Sequence, residues 1–265
     1  PRLAMVYRDL QRLSKRLNDT EDYNKWVGMF GRQDNIPANA GELVMIFQAG
    51  QGAIKLSRGP LLSDKTMESG IRVSLNGIPL KEGVTVAGVL VALRVAENPI
   101  PKFQKRSNKV DHVVINVNGA DIARTVMLED IETTAVKNLE DDYSRLYMKV
   151  AAGIAVKAAT AVAAGIAAKK IAEQSKKVGG YAGLIGTLVG AGIGAGLVSQ
   201  IKPDLRCWHT LPANLQLARI FLPPGDHKVV VKFRDAAGNQ VSPPVESTIR
   251  ISKGERTFYN YRTLF

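Results

Sequence analysis

Cysteine, histidine and aromatic residues are scarce in this sequence of 265 residues. It has one Cys and three His, and Phe, Trp and Tyr together make up 6% of the chain. A single Cys excludes an internal disulfide framework and a thiolate metal cluster. The three His lie far apart in the sequence, which argues against a multi-histidine metal site. We therefore expect neither a metal nor a cofactor.

Acidic residues are outnumbered, since 36 Lys and Arg face 24 Asp and Glu and give a formal net charge of +12. A charged fraction of 23% beside 45% hydrophobic residues excludes wholesale disorder. The excess is spread over several segments, and residues 149–178 and 202–265 each carry a net +5. Nucleic-acid binding usually needs a basic face on a recognisable module. We find no such module and expect no nucleic-acid partner.

The residue patterns predict an α+β fold in four parts. Residues 1–32 place apolar side chains at helical spacing and predict a helical hairpin, the end of a longer helical repeat array. The first helix carries the apolar stripe, and the second is expected to bury aromatic side chains. The stripe consists of Leu3, Val6, Leu10, Leu13 and Leu17, and the aromatic residues are Tyr23, Trp26 and Phe30.

Two segments are predicted to form β structure. Residues 42–124 are expected to be a β-rich domain, and residues 203–265 a small antiparallel β-sandwich. Within the first segment, Arg72–Leu75 is predicted to be a strand that leads into a hairpin turn at Asn76-Gly77. Further strands are predicted at Leu43–Phe47, Val84–Val95, Val113–Val117, Leu217–Phe221, His227–Phe233, Thr248–Ile251 and Thr257–Tyr261.

Residues 125–201 are predicted to form a long helical hairpin rich in Ala and Gly. The pattern becomes helical from about Val126 and stays so to about Ser175. Val150–Ala168 contains one charged residue, Lys157, and Ala182–Ile201 contains none. Helices of this length span about 30 Å, the thickness of a bilayer's hydrocarbon core.

Glycine is concentrated in the second arm of this hairpin, where several residues recur every four positions. Small residues at that spacing let helix backbones approach closely. Each Gly costs about 1 kcal/mol relative to Ala in an exposed helix, so packing or a membrane must stabilise the arm. We predict that the packing positions, in an oligomer or in a membrane, are Gly153, Gly165, Gly183, Gly186, Gly190 and Gly194.

A polar stripe interrupts the first arm, because Lys149, Gly153, Lys157 and Thr160 fall within a narrow arc of a helix. Three environments fit this stripe: packing on the soluble body, insertion into a membrane, or a helical barrel of several copies with a lumen. The predicted lumen or lipid-headgroup contacts are Lys149, Lys157, Lys169 and Lys170.

Two clusters of reactive side chains are candidates for a catalytic site. Cys207 and His209 would share a face of an extended segment, but no orienting third group is identifiable. A buried Cys beside Trp208 is the commoner situation. Glu140, Asp141 and Asp142 diverge around a helix axis and are expected to be solvated. The glycine tract also lacks the features of a phosphate-binding loop. We expect that the chain is not an enzyme.

Several short stretches resemble the C-terminal half of an uncharacterised family of bacterial envelope lipoproteins whose N-terminal half has tetratricopeptide-like helices. The stretches are residues 19–23 with Trp26 and Phe30, residues 41–44 and 52–55, residues 138–143, residues 204–208 with 211–213, and residues 222–227. The resemblance implies a protein of the periplasm or outer membrane, lipid-anchored at an N-terminal Cys that would precede Pro1. It implies no catalytic residues.

The leading hypothesis is therefore a non-enzymatic structural component of a bacterial envelope complex. It would form a homo-oligomer through the glycine-rich hairpin, contact other envelope proteins, and insert the hairpin in the outer membrane or hold it on the periplasmic side. Two alternatives stay open: a subunit of an envelope transport or secretion pore with a helical-barrel lumen, and a module that binds the cell wall or another glycan.

Overall fold

The computed structural model describes residues 2–32, 37–76, 93–94, 96–175 and 179–265. They form an α+β structure, as predicted, with N-terminal helices, a long helix and antiparallel C-terminal strands. The chain divides into two compact units. The sandwich unit comprises Pro1–Ala53, Lys105–Thr134 and Trp208–Phe265, and the helical unit comprises Ile54–Gln104 and Ala135–Cys207.

The α-helices are α1 (Arg2–Arg16), α2 (Thr20–Phe30), α3 (Lys65–Asn76), α4 (Ile131–Asp141), α5 (Tyr143–Glu173) and α6 (Ala182–Ser199). Short 3-10 turns lie at Leu61–Ser63 and Gly179–Tyr181. The strands are β1 (Gly41–Ala49), β2 (Ile54–Leu56), β3 (Lys102–Gln104), β4 (His112–Val117), β5 (Ala120–Arg124), β6 (Val126–Asp130), β7 (Asn214–Leu222), β8 (Gly225–Arg234), β9 (Val245–Ile251) and β10 (Arg256–Arg262).

Two four-stranded sheets form the sandwich. The first sheet has the order β10-β1-β7-β6, in which β1 is parallel to β10 and antiparallel to β7. The second sheet has the order β5-β4-β8-β9 and is antiparallel throughout. Buried and less buried residues alternate along β7 and along most of β8, because successive side chains of a strand point to opposite faces.

Large apolar side chains from both sheets fill the space between them. Leu43 and Phe47 of β1 meet Ile115 of β4 and Val231 and Phe233 of β8 in one buried cluster. The ring of Phe47 lies 5.8 Å from that of Phe233, measured between centroids. Burial of such side chains contributes about 1.5–3 kcal/mol each, so this cluster stabilises the sandwich.

The predicted boundaries between the two β segments differ from the structure. Residues 42–124 and 203–265 contribute strands to the same sheets, since β1 lies between β7 and β10, and β4 pairs with β8. The physical reason is that β1 is buried along nearly all its length. A strand buried in this way needs partners at both edges, and the end of the chain supplies them.

The helical unit has its own core around α3 and the first half of α5. Met67 and Ile71, four residues apart on α3, pack against Leu61, Ile154 and Ala158. A two-stranded antiparallel sheet of β2 and β3 belongs to the same unit. Both helices of this core, α3 and α5, therefore carry apolar residues at helical spacing, and this spacing buries one face of each helix.

The strand predicted at Arg72–Leu75 is wrong, because these residues belong to α3. Asp64 precedes the helix, and its carboxylate accepts hydrogen bonds from the backbone N–H groups of Thr66 and Met67. This N-cap starts a helix in which the buried face recurs every four residues, and tertiary packing of that face outweighs strand propensity. Gly77 of the predicted turn and most of Val84–Val95 lie outside the described residues.

The helix predicted from Val126 begins later. Residues 126–130 are strand β6, which pairs with the edge of β7. Asp130 then accepts hydrogen bonds from the backbone N–H and the hydroxyl of Thr133 and caps α4. The helical pattern breaks once more at Asp142, and α5 follows as a helix of 31 residues. A free edge of β7 next to the cap explains why the first residues pair as a strand.

The N-terminal hairpin of α1 and α2 forms as predicted, but three residues of its apolar stripe are exposed. Val6, Leu13 and Leu17 are exposed, whereas Gln11 and Ser14 are buried. Gln11 is buried because its side-chain amide donates a hydrogen bond of 2.8 Å to the carbonyl of Gly31, just after α2. The aromatic residues of α2 are half-buried, and Phe30 stacks on Tyr7.

Candidate functional surface on the helical hairpin

Helices α5 and α6 pack against each other as an antiparallel pair. Residues near the end of α5 meet the beginning of α6, because Gly186 lies against Gly165. Residues earlier in α5 meet the end of α6, because Lys157 reaches Leu197. The sequence predicted this hairpin, with a turn between the arms, and the described residues of both arms form it.

Small residues occupy the buried face of α6. The buried positions of this helix are Ala182, Gly186, Gly190 and Gly194, each four residues after the last. A Cβ added at Gly186 would lie 2.8 Å from Cβ of Lys169 and 2.9 Å from the carbonyl oxygen of Gly165. The two backbones therefore approach so closely at this point that no side chain fits, as small-residue spacing allows.

Large aliphatic residues of α6 are exposed, and two of them, Leu184 and Leu188, lie opposite its buried face. Leu184 is 57% exposed, Leu188 is 63% exposed, and Val189 and Ile193 are also exposed. Helix α6 has no charged residue along its 18 positions. A surface helix of a globular protein usually turns its apolar residues to the core and its polar residues to solvent. Helix α6 has the reverse arrangement.

Helix α5 has two different environments along its length. Its first half packs on the core of the helical unit through Ile154, Ala158 and Ala161. Gly165, in its second half, packs against α6, while Val156 and Ile171 are exposed. Among the described residues, α5 is the one helix that is long and apolar enough to cross a bilayer. Composition alone does not separate such a helix from a soluble core helix, so the burial pattern of the hairpin carries more information.

The structure brings together four of the six predicted packing glycines. Gly165, Gly186, Gly190 and Gly194 are buried. Gly153 and Gly183 are exposed instead, with open space where a Cβ would be. The four-residue spacing does not tell which of the interleaved glycine series faces α5, and the predicted packing in an oligomer or in a membrane stays a prediction.

The predicted lysines occupy different positions around the hairpin. Lys149 and Lys170 are exposed, and Lys169 is half-buried near the end of α5. The ammonium group of Lys157 donates a 3.4 Å hydrogen bond to the carbonyl of Leu197, in the last turn of α6. A cation there complements the negative end of the helix dipole. Lys157 also lines a cavity of about 220 Å³ together with Lys202.

A polar cluster that the sequence did not reveal holds the base of the hairpin. The phenol of Tyr143, the first residue of α5, donates a 2.6 Å hydrogen bond to Asp64, and the guanidinium of Arg58 lies 4.7 Å from the Tyr143 ring centroid. Burial alone would raise the pKa of Asp64. The hydrogen bonds from Tyr143 and from two backbone N–H groups outweigh burial and, with the charge of Arg58, lower that pKa.

The residues considered for catalysis are not gathered into a site. Trp208 and His209 are exposed, and Cys207 is half-buried rather than buried as expected. The carboxylates at positions 140–142 are exposed, as expected. Within the part of the chain that the structure describes, no three His, Cys, Asp or Glu side chains are grouped to hold a metal ion.

No known protein family, no curated protein and no solved structure matches this chain. The resemblance to envelope lipoproteins therefore rests on the short motifs of the sequence and stays a prediction.

Proposed function

We propose that this protein is a non-enzymatic structural component that attaches to a lipid bilayer through the exposed aliphatic residues of α6. The observation that carries the proposal is the reversed burial of α6, with glycine and alanine inside and leucine, valine and isoleucine outside. We call the exposed residues Leu184, Leu188, Val189 and Ile193 the outer face of the hairpin.

Reversed burial suits a lipid environment for a physical reason. In a bilayer the acyl chains solvate large aliphatic side chains, so helices associate through small residues that allow close packing. In water the same outer face would leave apolar surface exposed, at about 25 cal/mol for each Å².

Most lysines of the hairpin lie near the ends of its helices, where they would be compatible with attachment to a bilayer. Lys169 and Lys170 are near the turn of the hairpin, and Lys202 follows α6. Long lysine side chains near the ends of an apolar helix can extend to lipid headgroups. Lys157, within the apolar stretch, contacts a helix carbonyl rather than solvent alone.

The resemblance to envelope lipoproteins supplies the biological context of the proposal. The bilayer would be the outer membrane of a bacterium, contacted from the periplasm, and the protein would support a complex of envelope proteins. Self-association through the outer face is the competing use of the same surface. The pore alternative has less support, because the ammonium group of Lys157 bonds to Leu197 of the same chain.

Flotation with phospholipid vesicles tests the attachment. Leu188→Lys should lower the vesicle-bound fraction about tenfold or more, because a lysine at the centre of an inserted helix costs about 2.5–3.5 kcal/mol. Val73→Lys is the matched control, since Val73 is an exposed aliphatic residue on α3 of the same unit. It should float like the unmodified protein.

Two results would contradict the proposal. One is that the unmodified protein fails to float, and the other is that both variants float equally well. Sedimentation velocity without lipid then decides the competing use. If Leu188→Lys dissociates a particle that Val73→Lys leaves intact, the outer face joins copies of the chain instead of contacting lipid.

A further inference from the structure

An ionic network joins α1 to the outer side of the first sheet in the sandwich unit. The side chain of Glu42, on β1, is only 4% exposed. Its carboxylate accepts hydrogen bonds from Arg219 at 2.6 Å and from Arg256 at 3.0 Å. The guanidinium of Arg12, on α1, lies 3.5 Å from the same carboxylate. One buried carboxylate thus faces arginines from three elements.

A second carboxylate belongs to the network. Asp9, on α1, accepts a hydrogen bond of 2.7 Å from Arg219, and it lies 3.9 Å from Arg256. Arg219 is therefore held by both carboxylates, and its side chain is only 6% exposed. These two contacts raise the pKa of Arg219 against the opposing effect of its burial, and the residue is a fixed positive charge.

Positive charge exceeds negative charge at this place. The network and its rim contain Arg12, Arg16, Arg219 and Arg256 against Asp9 and Glu42, a formal excess of two positive charges. Nη1 of Arg12 is buried and forms its ion pair with Glu42 at 3.5 Å without a hydrogen bond. Within the described residues, Arg16 forms no ion pair with a carboxylate.

A cavity of about 230 Å³ opens at this excess of charge. Its walls are Asp9, Arg12, Leu13, Arg16 and Arg256. Three of the five side chains are guanidinium groups, whose planar donors match the oxygens of a phosphate group in pairs. The volume is smaller than that of pockets for drug-sized ligands, which favours a small anion.

We propose that this arginine cavity binds the phosphate group of a phosphate monoester. Such a group carries about −1.5 to −2 charges and several strong acceptor oxygens at neutral pH, which matches the excess of two positive charges and the three guanidinium groups in the cavity wall. Leu13 would contact the organic part of the ester. Asp9 does not oppose the anion strongly, because its carboxylate is paired with Arg219.

Titration calorimetry of the full chain with inorganic phosphate, at constant ionic strength, tests the cavity. We expect saturable binding at one site. Arg16→Gln should weaken it about tenfold, because a charge-assisted hydrogen-bond donor is lost. Lys15→Gln is the matched control: Lys15 neighbours Arg16 but lines a different cavity with Thr20 and Tyr23. It should change the affinity by less than about twofold, as expected for a screened surface charge.

Absence of saturable binding, or equal losses in Arg16→Gln and Lys15→Gln, would overturn the proposal. Arg16 is exposed, so its substitution should leave the thermal midpoint unchanged and folding is not a confounding effect. The proposal is independent of membrane attachment. Leu188→Lys should retain phosphate binding, so failure of one proposal is distinguishable from failure of the other.

Two further measurements distinguish the sources of a phosphate monoester. Glycerol phosphate in place of inorganic phosphate represents a soluble ester. Vesicles containing phosphatidic acid, compared with vesicles of phosphatidylcholine, represent a lipid headgroup. If Arg16→Gln abolishes a preference for phosphatidic acid, the source is a lipid. If only glycerol phosphate binding is lost, the ester is soluble.

Discussion

The two units of this protein differ in where they place large apolar side chains. In the sandwich, the inner faces of two sheets bury Leu43, Ile115 and Phe233 almost completely. In the hairpin, α6 buries Gly186, Gly190 and Gly194 and leaves Leu184 and Leu188 exposed. The large apolar side chains of the sandwich are therefore buried within the chain, whereas Leu184 and Leu188 of α6 are not. This difference is the basis of the proposal that the outer face of the hairpin contacts a lipid bilayer.

The largest expected contrast comes from removing one large apolar side chain in each unit. Phe233→Ala should lower the free energy of unfolding by about 3–5 kcal/mol, because it leaves a cavity among well-packed neighbours. Leu188→Ala, on the exposed face of α6, should change it by less than about 0.5 kcal/mol in aqueous buffer. Urea unfolding followed by circular dichroism measures both. Equal losses would mean that Leu188 is buried in solution.

A smaller contrast concerns the glycines of the hairpin. Gly186→Ala should destabilise the helical unit by about 1 kcal/mol, because the new Cβ would press on Lys169 and on the carbonyl of Gly165. Gly183→Ala, where the space is open, should stabilise the helix by about 0.5–1 kcal/mol through propensity alone. Thermal unfolding of the two variants checks the opposite signs. The same sign for both would contradict close packing at Gly186.

The smallest expected effect is the pH dependence of the polar cluster at the base of the hairpin. The folded-state pKa of Asp64 is lowered, so its contribution to stability is present above the unfolded value, about pH 4, and is lost as the pH falls through the folded value. Tyr143→Phe removes a hydrogen bond to the ionised carboxylate and should shrink this acid-induced loss.

Thermal midpoints from neutral pH down to about pH 3 test the difference. Tyr181→Phe provides the control, since Tyr181 is exposed and lies in the turn between the hairpin arms. A Tyr143→Phe profile identical to that of the Tyr181→Phe variant would show that the Asp64 contact does not stabilise the ionised form.

Sequence patterns predicted the elements whose periodicity is strong and long. The α5–α6 hairpin and strands β1, β4, β7 and β8 were found at or near their predicted positions. The patterns predict a strand at residues 72–75, which are helical, and a helix at residues 126–130, which form a strand. Both predictions are wrong because short apolar runs fit a helix and a strand equally well. Packing of α3 on Leu61 and pairing of β6 with β7 decided those cases.

The two candidate surfaces, the hairpin and the arginine cavity, also differ in how far the sequence predicts them. Glycine spacing identified the hairpin as a packing element, whereas the arginine cavity left no signal in the sequence. Its members, Arg12, Arg16 and Arg256, are distant in sequence and are scattered among ordinary surface charges. Only the docking of α1 on the first sheet gathers them.

The sequence by itself determined the α+β class, the absence of a disulfide framework, and the small-residue seam of the hairpin, because these depend on composition and on local spacing. The tertiary structure alone decided that the two β segments share one sandwich, that Gly186 rather than Gly183 faces α5, and that arginines converge on a buried glutamate. Contacts between distant segments have no local period in the sequence, and the free energy that selects them arises only when the segments meet.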